Sequence, residues 1–228
     1  MKHYLYFFFC LFYVNVFAQN IPSVTIKDAQ DLKLTDLKVT VEIVGNLAVT
    51  TYDMKFYNGL NRTLEGELVF PLGEGQTVSG FAMDVNGKMR DAVIVEKELG
   101  RVAYETTIRR KIDPGLLEKT EGNNYKACIY PIFRNNHKHI IITFEQELST
   151  LDGKQTYELP LGITHNLDDF SIDFNVFSTQ KPIINKASYQ GFFFEKEGNA
   201  FTASISKNNH APTKPIVLQI PNKTNQES

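Results

Sequence analysis

Apolar and polar residues alternate with a period of two along most of this chain. Val39, Val41 and Ile43 alternate with Lys38, Thr40 and Glu42, the pattern of a strand with one buried face. Gly45-Asn46 offers a two-residue turn, and Thr50, Tyr52, Met54 and Phe56 alternate in the return strand. The loop Asn58-Gly59-Leu60-Asn61 follows, and then a short strand from Glu67 to Phe70 that Pro71 ends. Asn86-Gly87 is a strong hairpin signal, because both central positions of a type I′ turn require positive φ. It joins a strand over Val78–Val85 to one over Lys88–Val93. Asp152-Gly153 is a second such signal, predicted to join His139–Leu148 to Gln155–Leu159.

One segment breaks the alternation. Leu99, Val102, Ala103 and Thr106 fall at helical spacing, which predicts a helix over about 95–111. Cations at Arg109, Arg110 and Lys111 suit the C-terminal end of a helix dipole. Pro114 forbids continuation and pushes Asp113 out of the α region. Beyond Pro160 the period of two returns, at Phe170, Ile172, Phe174 and Val176. Further strands are predicted over Tyr189–Phe194, Phe201–Ile205 and Ile216–Ile220. Many short strands at regular spacing, separated by turn residues, imply an all-β sandwich with one inserted helix.

The N-terminus has a different character. Met1-Lys2-His3 precedes an apolar run from Tyr4 to Val16, and Ala18 stands ahead of Gln19. This is the layout of a secretory signal peptide, and the run is short for a membrane span, which needs about 20 residues. The sequence therefore divides into a signal peptide over 1–18, a β domain over 26–150, a β region over 151–221 packed on or continuous with it, and a polar tail over 222–228. Cleavage after Ala18 places the mature protein outside the cytoplasm, secreted or in the periplasm or envelope, with no span afterwards. Lys2 is one of 24 basic residues, so the mature chain carries 23 against 26 acidic ones, a net charge of −3. Nothing in that balance attracts nucleic acid or an anionic membrane. Of two cysteines, Cys10 lies in the leader and Cys128 in a strand pattern, so the mature chain forms no internal disulfide.

Candidate chemistry is sparse. His137 and His139 point to one side of a strand, as metal ligands sometimes do, but a zinc site needs three or four convergent ligands. His165 lies elsewhere in sequence, and Asp168, Asp169 and Asp173 are too few for a calcium loop. Gly73, Gly75 and Gly80 lack the spacing of a phosphate loop. No serine sits in a nucleophile elbow, and Cys128 has no nucleophile motif around it. No catalytic residue, metal ligand or cofactor is predicted. Arg109, Arg110 and Lys111 remain as a basic cluster, either a docking patch for an acidic partner or a set of local ion pairs at the helix end.

Several motifs occur in a fixed order: FPLGEGQTVSGFAMDVNGK, the segment Val95–Lys111, DPGLLE, and YPIF followed by ITFEQEL. Together, over roughly Leu37 to Leu148, they resemble the VIT (vault protein inter-alpha-trypsin) domain, in its bacterial secreted type. The resemblance implies an all-β scaffold with an inserted helix and a non-catalytic role in protein–protein contact, with no catalytic residues to carry over. A von Willebrand factor A domain with a D-x-S-x-S metal site usually follows such a domain, and no such motif occurs in this sequence. The alternatives are the front piece of a VIT–von Willebrand A adhesion protein, or a secreted metal-dependent hydrolase using His137 and His139.

Overall fold

The computed structural model describes residues 22–26, 32–96, 116–185 and 193–221. Within them the chain is built from strands. The first ten are β1 (Ser23–Ile26), β2 (Lys33–Val44), β3 (Leu47–Asn58), β4 (Leu64–Pro71), β5 (Gln76–Val85), β6 (Lys88–Asp91), β7 (Val93–Glu96), β8 (Leu116–Thr120), β9 (Asn124–Ile132) and β10 (Asn136–Glu147). The rest are β11 (Thr150–Leu151), β12 (Lys154–Leu159), β13 (Leu167–Phe177), β14 (Ile183–Ile184), β15 (Glu195–Glu197), β16 (Ala200–His210) and β17 (Ile216–Pro221). They form an eight-stranded sheet in the order β15-β16-β13-β2-β3-β10-β5-β6. A five-stranded sheet runs β1-β4-β9-β8-β7, and a four-stranded sheet runs β11-β12-β17-β14.

The two smaller sheets pack on one face of the large one. Phe70 of β4 meets Tyr52 of β3 and Phe144 of β10, with ring centroids 5.8 and 6.1 Å apart. Tyr157 of β12 meets Phe174 of β13 edge-on at 6.3 Å, and its hydroxyl lies 2.7 Å from the Thr50 hydroxyl of β3. One continuous core results, running from Val24 to Ile220. The alternation of β2 shows how the sequence builds it. Leu37, Val39, Val41 and Ile43 are buried while Lys38, Thr40, Glu42 and Val44 are exposed. The period of two maps one residue type onto each face, and the fold is the all-β sandwich that this pattern implies.

Turn chemistry sets the register. Asn86 and Gly87 have φ of 55° and 80°, and they pair β5 with β6 so that Val85 faces Lys88. At Gly66 a Cβ would come within 2.7 Å of the Ile26 side chain and 3.1 Å of the Thr25 carbonyl. A side chain at that position requires the Ile26 side chain to move and the Thr25 carbonyl to give by a few tenths of an ångström, so β1 approaches β4 most closely over a glycine.

Two expectations change, and a third falls mostly outside the described residues. Asp152-Gly153 does form a tight turn, but it joins β11 to β12 rather than the long strand β10. The chain leaves the large sheet after Glu147, and Leu148 donates its amide to the Asn46 carbonyl. The hairpin beyond that point belongs to the opposite layer. Second, Val95 and Glu96, placed at the start of the predicted helix, are extended in β7 and pair in parallel with Glu118 and Lys119 of β8. Three β-branched residues in a row, Val93, Ile94 and Val95, favour a strand where a partner is available. The remainder of the predicted helix, with Arg109, Arg110 and Lys111, lies outside the described residues. A parallel pair needs a crossover of about a dozen residues or more, and residues 97–115 are that connection. Third, the strand predicted over 189–194 falls mostly outside the described residues, and Phe194 lies in irregular chain just before β15.

The C-terminal region does not stand apart. β13 lies parallel to β2, with Phe170 beside Leu37 and Val176 beside Ile43, and β16 extends the same sheet.

Candidate functional site

The histidines that attracted notice in the sequence lie on the outer face of the large sheet. Successive odd-numbered positions of β10 point away from the core, so His137 and His139 share a side. The register sets His137 opposite Tyr57 and His139 opposite Lys55. Each is held by a neighbour on β3. His139 Nε2 donates to Asp53 Oδ1 at 2.6 Å, and the His137 ring leans on Tyr57 at 5.0 Å. His165 sits elsewhere, its Nε2 donating to the Leu34 carbonyl at 2.8 Å. Among the described residues no three of His, Cys, Asp and Glu gather where they could hold a metal ion.

The acidic residues of β13 belong to the same outer face. Lys38 reaches Asp173 at 3.7 Å, Lys33 reaches Asp168 at 3.9 Å, and Lys55 reaches Asp36 at 3.6 Å. These cross-strand pairs are half-exposed. They neutralise one another rather than forming a field of one sign.

Cys128 lies on the outward side of β9, beside Glu65 and Glu67. Its thiol donates to Glu65 Oε1 at 3.4 Å. Burial and the nearby carboxylates push it up to about 11. A nucleophilic cysteine needs the thiolate, so this environment opposes such chemistry.

Two buried polar residues were not singled out by sequence reasoning. Lys138 occupies an inward position of β10 and is 2% exposed. Its Nζ donates to the carbonyls of Asp84 and Pro131, so one amine ties β5 and β9 to β10. Burial lowers its proton affinity, and the carboxylate of Asp84 partly opposes that. Asn58 is fully buried, and its Nδ2 donates to the carbonyls of Arg62, Ile132 and Phe133. Its Oδ1 accepts the Leu60 amide at 2.9 Å. Asn58 thereby joins the loop after β3 to the chain leaving β9. The signal for Lys138 was available: a lysine stands in phase with Ile140, Ile142 and Phe144.

One concave feature stands out. A cavity of about 370 Å³ opens between the layers. Its floor is Leu34, Leu37, Tyr52, Met54, Phe70 and Phe144, all buried. Leu161 and Ile163 form one wall, in the irregular segment after β12. That segment is anchored where the Tyr52 hydroxyl donates to the Pro160 carbonyl at 3.0 Å and the Ile163 amide donates to the Pro212 carbonyl. Burial holds the Tyr52 phenol well above its usual value, so it stays a neutral donor. Glu74, Gln76, Gln146 and Glu158 supply the polar lining. Gln76 is committed on both sides, accepting the Gly73 amide and donating to Gln146 Oε1.

The family model of the vault protein inter-alpha-trypsin domain matches residues 34–144. That stretch runs from β2 into β10 and supplies strands to both layers of the sandwich. It is a VIT domain. A von Willebrand factor A domain-containing protein of Dictyostelium discoideum is 24% identical over 134 residues, 59% of this chain and 15% of that relative. The chain thus matches only a small part of the curated relative's length. Among solved structures, one described as a nutrient binding protein of Legionella pneumophila is 10% identical, with a TM-score of 0.55 over 88% of this chain and 70% of its own. An M1 zinc metallopeptidase of Deinococcus radiodurans is 10% identical, with a TM-score of 0.50 over 83% of this chain and 42% of its own. At such identities the likeness is one of fold. The VIT domain here is completed by strands outside the match, since β13 and β16 extend its sheet and β12 and β17 cover its core.

Proposed function

We propose that this VIT protein is a non-catalytic interaction module of a secreted or envelope protein, working through protein–protein contact. The observation that carries the reading is the state of its reactive side chains. His139 is bound to Asp53, the lysines of the outer face are paired with aspartates, and Cys128 is a neutral thiol beside carboxylates. Those groups serve the sheet and leave a broad outer face for contact. The basic cluster Arg109, Arg110 and Lys111, in the crossover between β7 and β8, is the docking patch we assign to an acidic partner. Three adjacent cations give orientation and on-rate to such a contact.

The test is chemical cross-linking of the native chain in its own host, followed by recovery of the linked species. The triple variant Arg109→Glu, Arg110→Glu, Lys111→Glu is compared with the unaltered protein. One discrete adduct, lost in the charge-reversed variant, supports the patch. An adduct unchanged by charge reversal overturns it. A peptidase activity that disappears in His139→Ala would overturn the non-catalytic reading.

The Dictyostelium relative's name favours a second reading, in which this unit is the VIT portion of a protein carrying a von Willebrand factor A domain. Sequencing the transcript beyond codon 228 tests it, since an in-frame D-x-S-x-S motif would establish that arrangement.

A further inference from the structure

We propose that the cavity between the layers binds a small uncharged molecule, an apolar body carrying one hydrogen-bond acceptor such as a ketone or ester carbonyl. The body is set by the floor. Leu34, Leu37, Met54, Phe70 and Phe144 offer carbon surface, and the Tyr52 hydroxyl among them already donates to the Pro160 carbonyl. A space of about 370 Å³ lies within the range of ligand sites, roughly 300–1,000 Å³. An apolar occupant gains dispersion contacts with that floor. The thioether of Met54 adapts to occupants of different shape.

The acceptor is set by a chain of amides in the lining. Gln76 and Gln146 both line the cavity, and they stand opposite each other where β5 pairs with β10. The Gly73 amide donates to Gln76 Oε1 at 2.9 Å, and a backbone N–H can only donate. That fixes which end of the Gln76 side chain faces Gly73, so its Nε2 donates to Gln146 Oε1 at 3.1 Å. The orientation of Gln146 follows in turn. Its oxygen is engaged, and its Nε2 has no partner among the described residues. The turn that starts this chain is itself held, because Asn123 Nδ2 donates to the carbonyls of Gly73 and Gln76 at 2.7 and 2.8 Å. The lining thus carries an oriented, neutral donor beside carbon surface. A carbonyl that enters exchanges a water for that donor, whereas a carboxylate gives up more hydration than one neutral amide returns. This site and the docking patch share no residue, and the failure of either leaves the other standing.

The probe is acetophenone, with cumene as its hydrocarbon counterpart of the same shape and benzoate as its charged one. Binding is followed by the methyl resonance of Met54 in methionine-labelled protein. The chain has four methionines, and the Met54→Leu variant assigns the signal. The expected result is a saturable shift with acetophenone and with cumene, and binding of benzoate about tenfold or more weaker than that of acetophenone. Gln146→Glu keeps an oxygen for Gln76 and replaces the spare donor with a second acceptor. It should weaken acetophenone about fivefold or more while cumene stays within about twofold, which also shows that the cavity of the variant is intact. An unmoved Met54 resonance overturns the site. Benzoate binding as tight as that of acetophenone overturns the neutral assignment. A variant that leaves acetophenone unchanged, or weakens cumene equally, overturns the role of Gln146.

Discussion

The two faces of strands β2, β3 and β10 share one backbone, one register and the same neighbours, yet they do different physical work. On the inner face Val39, Tyr52 and Ile142 stand side by side within a continuous core. On the outer face, one residue along, Lys38 stands beside Asp53, and Thr51 bonds to Thr143 across 3.0 Å. The inner face removes large apolar area from water, at about 25 cal/mol per Å². The outer face makes half-solvated pairs, each worth about 1 kcal/mol or less. The fold therefore rests on one side of the sheet, and the other side is free to change.

Phe144→Ala should have the largest effect. Its ring touches Tyr52 and Phe70 at 5.7 and 6.1 Å and helps hold the five-stranded sheet to the large one. A loss of about 3–5 kcal/mol is expected, read as a shift of the urea midpoint at constant slope. A loss below 1 kcal/mol would show that the interlayer contact carries little of the stability.

Lys138→Met should fall between the faces, because a polar group sits here on the apolar side. At neutral pH the change should be within about 2 kcal/mol, since losing two hydrogen bonds is offset by removing a desolvated charge. The pH dependence sharpens the point. Burial holds the folded-state proton affinity of Lys138 below the unfolded one. The unfolded state then binds more protons between the two values, and stability rises with pH across that window. Native protein should gain on Lys138→Met between neutral pH and about pH 10, where the unfolded lysine titrates. Cys128 titrates nearby with the opposite sign but is present in both proteins, so it largely cancels in the difference. A flat difference across that range would place the amine in water.

Lys38→Ala should have the smallest effect, under about 1 kcal/mol, because Lys38 and Asp173 are both substantially exposed at 3.7 Å. Added salt should shrink even that difference. A loss comparable to that of Phe144→Ala would erase the distinction between the faces.

Much of this architecture was legible in the chain. The alternation in β2, β3, β10 and β13 names which residues face inward, and Asn86-Gly87 names its turn, because steric preference and burial act on residues close in sequence. Sheet membership was not legible. Asp152-Gly153 looks the same whether its hairpin continues β10 or starts the opposite layer, and Val95 satisfies a helical pattern and a strand equally well. Of the candidate site, the histidines were visible as a pair, but their partners were not. Asp53 is distant in sequence and reaches His139 only through the register of β3 on β10. The cavity had no sequence signal, since its floor combines Leu34, Tyr52, Phe70 and Phe144 from four strands.

The amino-acid sequence by itself determined the all-β character, the inward and outward residues of the long strands, and the resemblance to the VIT domain over roughly Leu37 to Leu148. These follow from local rules of period, turn and order of motifs. Only the tertiary structure decided that β13 and β16 extend the domain's own sheet, that Lys138 is an interior tie, and that a cavity lies between the layers. The reason is that strand pairing across a hundred residues depends on which faces must be buried together, and no short stretch of chain contains that information.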